Sequence, residues 1–148
     1  MKTIIFLFIA GIAIVLMALN FPRVNFNKDA EGGINFHKGT WSEALTKAEK
    51  ENKIIFLDIY ATWCGPCKRL KAKTFSDKEV GGFYNPNFIN VAIDGEKGEG
   101  PELARKYSVT GYPTLLFFDS KGNLIARTAG FHNAKDFLAM GEKVFKKL

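Results

Sequence analysis

A chain of 148 residues has room for one domain, and with 47% of its residues apolar and fourteen phenylalanines it can bury a core without disulfide staples. The formal net charge of +6 falls to +3 over residues 29–148, because Lys2, Arg23 and Lys28 all precede the first acid, Asp29. That mild surplus excludes the concentrated basic patch of a nucleic-acid binder.

Met1-Lys2-Thr3 leads into IIFLFIAGIAIVLMAL, Ile4 to Leu19, without a polar side chain. A charged start and an apolar run make an export signal. The run is long for a cleaved signal and slightly short of an ideal span of about 20 residues. Ala18, with Leu16 two residues before it, forms a weak cleavage site, and no cysteine follows for a lipid anchor. Two readings of residues 1–20 stand, an uncleaved signal anchor or a cleaved signal peptide. A buried core helix is disfavoured because the segment has no polar face. Either favoured reading sends the remainder outside the cytoplasm. Residues 21–35, with a proline and paired glycines, read as a linker or irregular lead-in to a domain over 36–148.

Thr40 and Glu43 fit a capping box, starting a helix that runs to about Glu51 with Trp41, Ala44, Leu45 and Ala48 on its inner face. IIFLDIY, Ile54 to Tyr60, is an apolar run of strand length, as expected of a strand covered on both faces. A basic helix opens at or just after Cys64 and continues through Lys73. A short helical stretch follows from Asp77 to about Tyr84, then a strand, FINVAID, from Phe88 to Asp94. The loop Gly95 to Gly100 reads as a solvated connection, or alternatively as a partner-specific insertion. Pro101 suits the first position of the helix ELARKY. TLLFF (Thr114 to Phe118) and LIART (Leu124 to Thr128) flank the turn DSKGN as a hairpin. A last helix spans about Asn133 to Lys147, with Phe137, Leu138, Met140, Val144 and Phe145 on its apolar side. Counted without the short 77–84 stretch, the order is α-β-α-β-α-β-β-α. The fold class is α/β, a mixed sheet between helical layers.

ATWCGPCKRL (Ala61 to Leu70) holds the chain's two cysteines. Such a pair could be a structural staple, half of a metal site or a redox couple. It is too close in sequence to staple distant elements, so it is local chemistry. A structural zinc site needs about four ligands, and beyond Cys64 and Cys67 only His37 and His132 are available, far apart in the chain. At a helix start the first thiol meets free amides and the positive helix end, which raises its thiolate fraction. The thiolate is the attacking species in disulfide exchange. Cys67 lies one turn on, near enough to resolve a mixed disulfide. Gly65 permits close approach, Pro66 pre-sets the first turn, and Lys68, Arg69 and Lys71 add modest support for the thiolate.

Asp58 is a carboxylate inside an apolar strand, six positions before Cys64. Burial there raises its pKa and suits it to take the Cys67 proton through a water; the alternative is a solvated strand end. In GYPT, Gly111 to Thr114, Pro113 is a candidate cis peptide, the alternative being an ordinary trans proline that opens a strand.

WCGPCK (Trp63 to Lys68), Asp58 upstream and the YPT proline downstream, in that order, resemble the thioredoxin superfamily over roughly Trp41 to Leu148. More narrowly, Leu57 to Val80, LLFFDSKGN and AGF (Ala129 to Phe131) are similar to the periplasmic C-terminal domain of the membrane reductant conductor DsbD. The resemblance implies the thioredoxin fold, with Cys64 attacking, Cys67 resolving and Asp58 as the buried carboxylate. It makes Trp63 a packing flank of the site and Pro113 a cis-proline opposite the disulfide. The Tyr112 backbone would pair with an extended substrate segment, and Gly130 would lie in a flat apolar rim. It also implies no cofactor beyond the Cys64–Cys67 disulfide, protein thiols and disulfides as partners, a DsbD-type electron donor, a periplasmic location and a monomer.

Three positions depart from those families. The basic partner that thioredoxins place near the buried carboxylate falls at Asn90, and the proline that kinks their active-site helix is Ala72. DsbD-type domains carry an acid where this chain has Lys71, and they lack the Gly-Pro dipeptide. The expected function is an exported thiol–disulfide oxidoreductase, a reductant first. An oxidase or isomerase, and a non-catalytic thioredoxin-fold adaptor or holdase, are the alternatives.

Overall fold

A computed structural model of the chain describes residues 29–147. The apolar run at 4–19 and its signal or anchor reading lie outside these residues. Among the described residues no helix is long and apolar enough to cross a membrane.

Among the described residues nine elements follow one another: α1 (Trp41–Glu51), β1 (Ile54–Tyr60), α2 (Gly65–Lys73), α3 (Lys78–Asn87), β2 (Phe88–Asp94), α4 (Gly100–Lys106), β3 (Thr114–Phe118), β4 (Leu124–Ala129) and α5 (Ala134–Phe145). The sheet runs β2-β1-β3-β4, with β1 parallel to β2 and antiparallel to β3, and β3 antiparallel to β4. The parallel β1–β2 pair needs a crossover, which α2 and α3 supply.

The two faces of the sheet follow from strand alternation. Ile55, Leu57 and Ile59 of β1 pack with Trp41, Ala44, Ala48 and Leu103, placing α1 and α4 on one side. Ile54 and Phe56 pack with Leu70, Val80, Tyr84, Phe137 and Val144, placing α2, α3 and α5 on the other. Every residue of β1 is therefore buried. This is why its sequence is a continuous apolar run rather than an alternating one.

Phe56 anchors the second, aromatic-rich cluster, its ring 5.2–5.7 Å from those of Phe75, Tyr84, Phe117 and Phe137. Tyr84 stacks on Phe137 at 4.5 Å and donates its hydroxyl to the Phe137 carbonyl at 2.9 Å. That stack requires Gly141, because a Cβ there would stand 2.6 Å from the Tyr84 hydroxyl. Gly141→Ala is expected to cost about 2 kcal/mol through overpacking. A thermal melt checks this, and an unchanged midpoint would show that Tyr84 is free to move.

The Thr40 capping box forms, with Glu43 N–H donating to the Thr40 hydroxyl and Thr40 N–H to the Glu43 carboxylate. Three helix details differ from expectation. α3 runs to Asn87 and takes in Pro86 near its end, where the Asn87 side-chain amide satisfies the Phe83 carbonyl. In α4 the first position is Gly100 and Pro101 comes second. On α5, Phe145 is 45% exposed, although its ring still meets Phe83 at 6.0 Å.

Residues 29–40 form no helix or strand, yet they lie against the domain. Ile34 is buried and its N–H donates to the Phe75 carbonyl. The Asn85 side chain accepts from Asn35 N–H and donates to the Gly33 carbonyl, and His37 N–H donates to the Asn90 carbonyl on β2.

Candidate active site

β1 ends at Tyr60 and the chain turns through Ala61 to Trp63 into α2. Cys64 sits at the N-cap of that helix, and its sulfur accepts the Cys67 N–H at 3.2 Å. Pro66 occupies the first turn, where no N–H is needed. Cys64 and Cys67 form a disulfide across 5.3 Å between their Cα atoms. Both are almost covered, packed with Tyr60, Ala61, Ala92 and Tyr112. Gly65 and Pro66 are exposed, and the space above Gly65 is open.

Asp58 is 4% exposed, so it is buried rather than at a solvated strand end. Alternation along β1 puts its side chain on the face of Phe56 and Tyr60, the face that α2 covers. It thus occupies the layer between the aromatic core and the cysteines. Its Oδ1 has no hydrogen-bond partner among the described residues. Burial pushes its pKa from 3.8 up to about 7, opposed by the charge of Lys71 one turn beyond Cys67. Asn90 is buried opposite Phe56, two positions before Ala92, the register partner of Asp58, so no cation comes from β2 there. The positive charge felt by Asp58 comes from α2 instead. Burial lowers the Lys71 pKa, while Asp29 and Asp58 act to raise it.

The Tyr112–Pro113 peptide is cis. Tyr112 packs against the cysteine cluster, and the Pro113 carbonyl accepts the Gly130 N–H at 3.0 Å. Gly130, at φ +84°, thereby joins the loop after β4 to the proline turn. His132 holds that loop, its carbonyl accepting the Thr74 hydroxyl and its ring meeting the Thr128 hydroxyl. Trp63 is 66% exposed and meets the Tyr112 ring edge to face at 6.1 Å.

The fold thus gathers Asp58, Trp63, Cys64, Gly65, Pro66, Cys67, Tyr112, Pro113 and Gly130 around one disulfide. Sequence reasoning missed Glu96, whose carboxylate accepts the Trp63 indole N–H at 3.0 Å. The two residues are 33 apart in sequence, and a glutamate in a glycine-charge loop carries no local signal of such a contact.

A dithiol/disulfide at a helix N-cap, over a buried carboxyl and beside a cis-proline turn, defines a thiol–disulfide oxidoreductase of thioredoxin fold. The chain belongs to the thioredoxin-like domain family, whose sequence model matches residues 41–145. It is 40% identical over 94 residues to the thiol:disulfide interchange protein DsbD of Yersinia pestis, covering 62% of this chain and 16% of that protein. The chain therefore spans about a sixth of the length of that curated relative. Among solved structures it is similar to a candidate disulphide-isomerase from Bacteroides thetaiotaomicron, at 43% identity and a TM-score of 0.68, over 78% of this chain and 96% of that one. It is also similar to the DsbD C-terminal domain of Neisseria meningitidis in the oxidised form, at 26% identity and a TM-score of 0.61, over 74% and 97%.

Proposed function

We propose that the protein reduces disulfides in other exported proteins. The Cys64 thiolate attacks a substrate disulfide, forming a mixed disulfide and releasing one substrate thiolate. Cys67 then gives up its proton to the Asp58 carboxylate and attacks the Cys64 sulfur. The second substrate thiolate leaves and takes up a proton, so two electrons pass to the substrate and the Cys64–Cys67 disulfide is restored. No cofactor enters this cycle. A dithiol donor must reload it, and a DsbD-type membrane protein suits that task. The Tyr112 backbone pairs with an extended substrate segment, with Trp63, Gly65, Pro66, Pro113 and Gly130 forming the rim. The chain works as a monomer in the periplasm, tethered through residues 4–19 or released after cleavage.

The observation that carries this reading is the Cys64–Cys67 disulfide at the N-cap of α2, with the Asp58 carboxyl buried on the face of β1 that α2 covers. That burial pushes the Asp58 pKa up to about 7, where a proton acceptor works near neutral pH. The Gly-Pro dipeptide between the cysteines favours the reducing direction. Direction of flow is tested by the reduction potential of the cysteine pair, measured in graded thiol–disulfide buffers with alkylation of free thiols. A value near thioredoxin's, about −270 mV, is expected. A value above about −180 mV would overturn the reductant and favour an oxidase or isomerase. The likeness to the Bacteroides protein supports isomerisation as the second reading.

A further inference from the structure

The loop after β2 touches both aromatic side chains that flank the disulfide. Gly95 N–H donates to the Tyr60 carbonyl at 2.8 Å, fixing the strand exit. The Asp94 carboxylate accepts the Glu96 N–H at 3.0 Å and holds the Lys97 ammonium at 3.6 Å. Glu96 is therefore presented on a wired turn, and Lys97, its neighbour in sequence, is engaged by Asp94. Gly95 lies directly against the Tyr112 ring, where a Cβ would come within 2.6 Å of a ring carbon. Glu96 takes the Trp63 indole N–H, and Trp63 in turn meets Tyr112.

Two consequences follow for the rim. An indole two-thirds exposed has little packing to choose its rotamer, and a charge-assisted hydrogen bond supplies that choice. The same carboxylate makes this flank of the disulfide negative in a chain that is otherwise basic. Burial, then Glu96 and Asp94, push the Tyr112 phenol up, consistent with that field. Arg69, on α2, sets its guanidinium 4.4 Å from the Phe131 ring centre.

We propose that Glu96 is a positioning and specificity-determining residue for disulfide exchange: it holds Trp63 upright beside the Cys64–Cys67 pair and favours substrate segments that bring a cationic side chain to that flank. The proposal rests on the oxidoreductase reading above and deepens it.

The test uses the full chain, reduced with dithiothreitol, and two synthetic peptides sharing one internal disulfide loop, flanked by lysines in one and by glutamates in the other. The quantity read is the ratio of kcat/KM for the lysine peptide to that for the glutamate peptide. Glu96→Gln keeps an acceptor oxygen for the indole and removes the charge, and should lower the ratio about threefold, the scale of an exposed charge pair. Glu96→Lys should lower it about tenfold by reversing that charge. Both differences should shrink in 0.5 M salt, roughly as screening of exposed charges dictates. Glu96→Ala loses both functions, so KM should rise for both peptides and the Trp63 indole N–H resonance should shift, while Glu96→Gln holds it near its wild-type position.

A ratio unchanged in Glu96→Gln and Glu96→Lys overturns the specificity role. An indole resonance unmoved in Glu96→Ala overturns the positioning role. If the wild-type chain reduces neither peptide, the oxidoreductase reading falls and this inference falls with it. Turnover of both peptides without charge preference sinks the specificity role alone.

Discussion

Cys67→Ser, reduced and offered a disulfide-bonded protein, is expected to stop at a mixed disulfide through Cys64, whereas Cys64→Ser forms no adduct. The reason lies in where the two sulfurs sit. Cys64 is the N-cap of α2, where free amides and the helix dipole stabilise negative charge. Cys67 is one turn inside, almost covered and packed with Tyr60 and Ala61 at the end of β1. A serine at position 64 cannot replace the thiolate in exchange, so turnover should fall more than about a thousandfold. A serine at position 67 leaves the attack intact and removes the group that resolves it. Mass spectrometry of the trapped adduct reads the outcome directly. An adduct carried by Cys67 in Cys64→Ser would invert the two roles. Absence of any adduct in Cys67→Ser, with the cellular role retained in Cys64→Ser, would leave a thioredoxin-fold adaptor.

Asp58→Asn should stabilise the protein while slowing it. In the folded chain Asp58 holds its proton up to about pH 7, and in the unfolded chain it releases it near 3.8. Between those values the folded state binds the extra proton, so stability falls as pH rises through the window and stays low above it. The interval corresponds to at most roughly 4 kcal/mol. Asp58→Asn removes the cost of burying a charge, so it should gain about 2–4 kcal/mol at pH 8 and almost nothing at pH 4. Denaturant titrations of the oxidised protein at both pH values measure this. The same substitution removes the proposed acceptor of the Cys67 proton, and release from the mixed disulfide should slow about a hundredfold. Equal stability gains at both pH values would show that Asp58 is not the titrating group. Stabilisation without slower release would assign the proton to another acceptor.

These two results separate residues that are costly to the fold from residues that build it. Asp58 was legible in the sequence because a lone acid in IIFLDIY contradicts the strand around it. β1, β2 and β3 were legible to the residue, since each is a mostly apolar run of strand length, the pattern of a strand covered on both faces. The cysteine motif was legible because its residue types are those a helix N-terminus needs. What the chain concealed depends on contacts between distant segments. Glu96 reaches Trp63 through space, and no periodicity marks it. The irregular residues 29–37 follow neither a helical nor a strand period, so the burial of Ile34 could not be read. The extension of α3 through Pro86 puts a proline in the last turn, beside an Asn87 side-chain amide that donates to the Phe83 carbonyl, which local propensity does not encode. Phe145 falls on the helical stripe of α5, yet lies where the sheet no longer covers it.

The attachment of residues 29–37 to α3 and β2 sets a reach. If residues 4–19 anchor the protein as proposed, nine residues, 20–28, separate them from the attached segment, and no chain of that length spans more than about 30 Å. A domain held that close would sample a thin shell of space above the bilayer, where its local concentration would be high. Such a leash matches a redox carrier to partners embedded in, or standing on, the same membrane. Lengthening it, with the site untouched, would change which disulfides the protein meets rather than how fast it exchanges them.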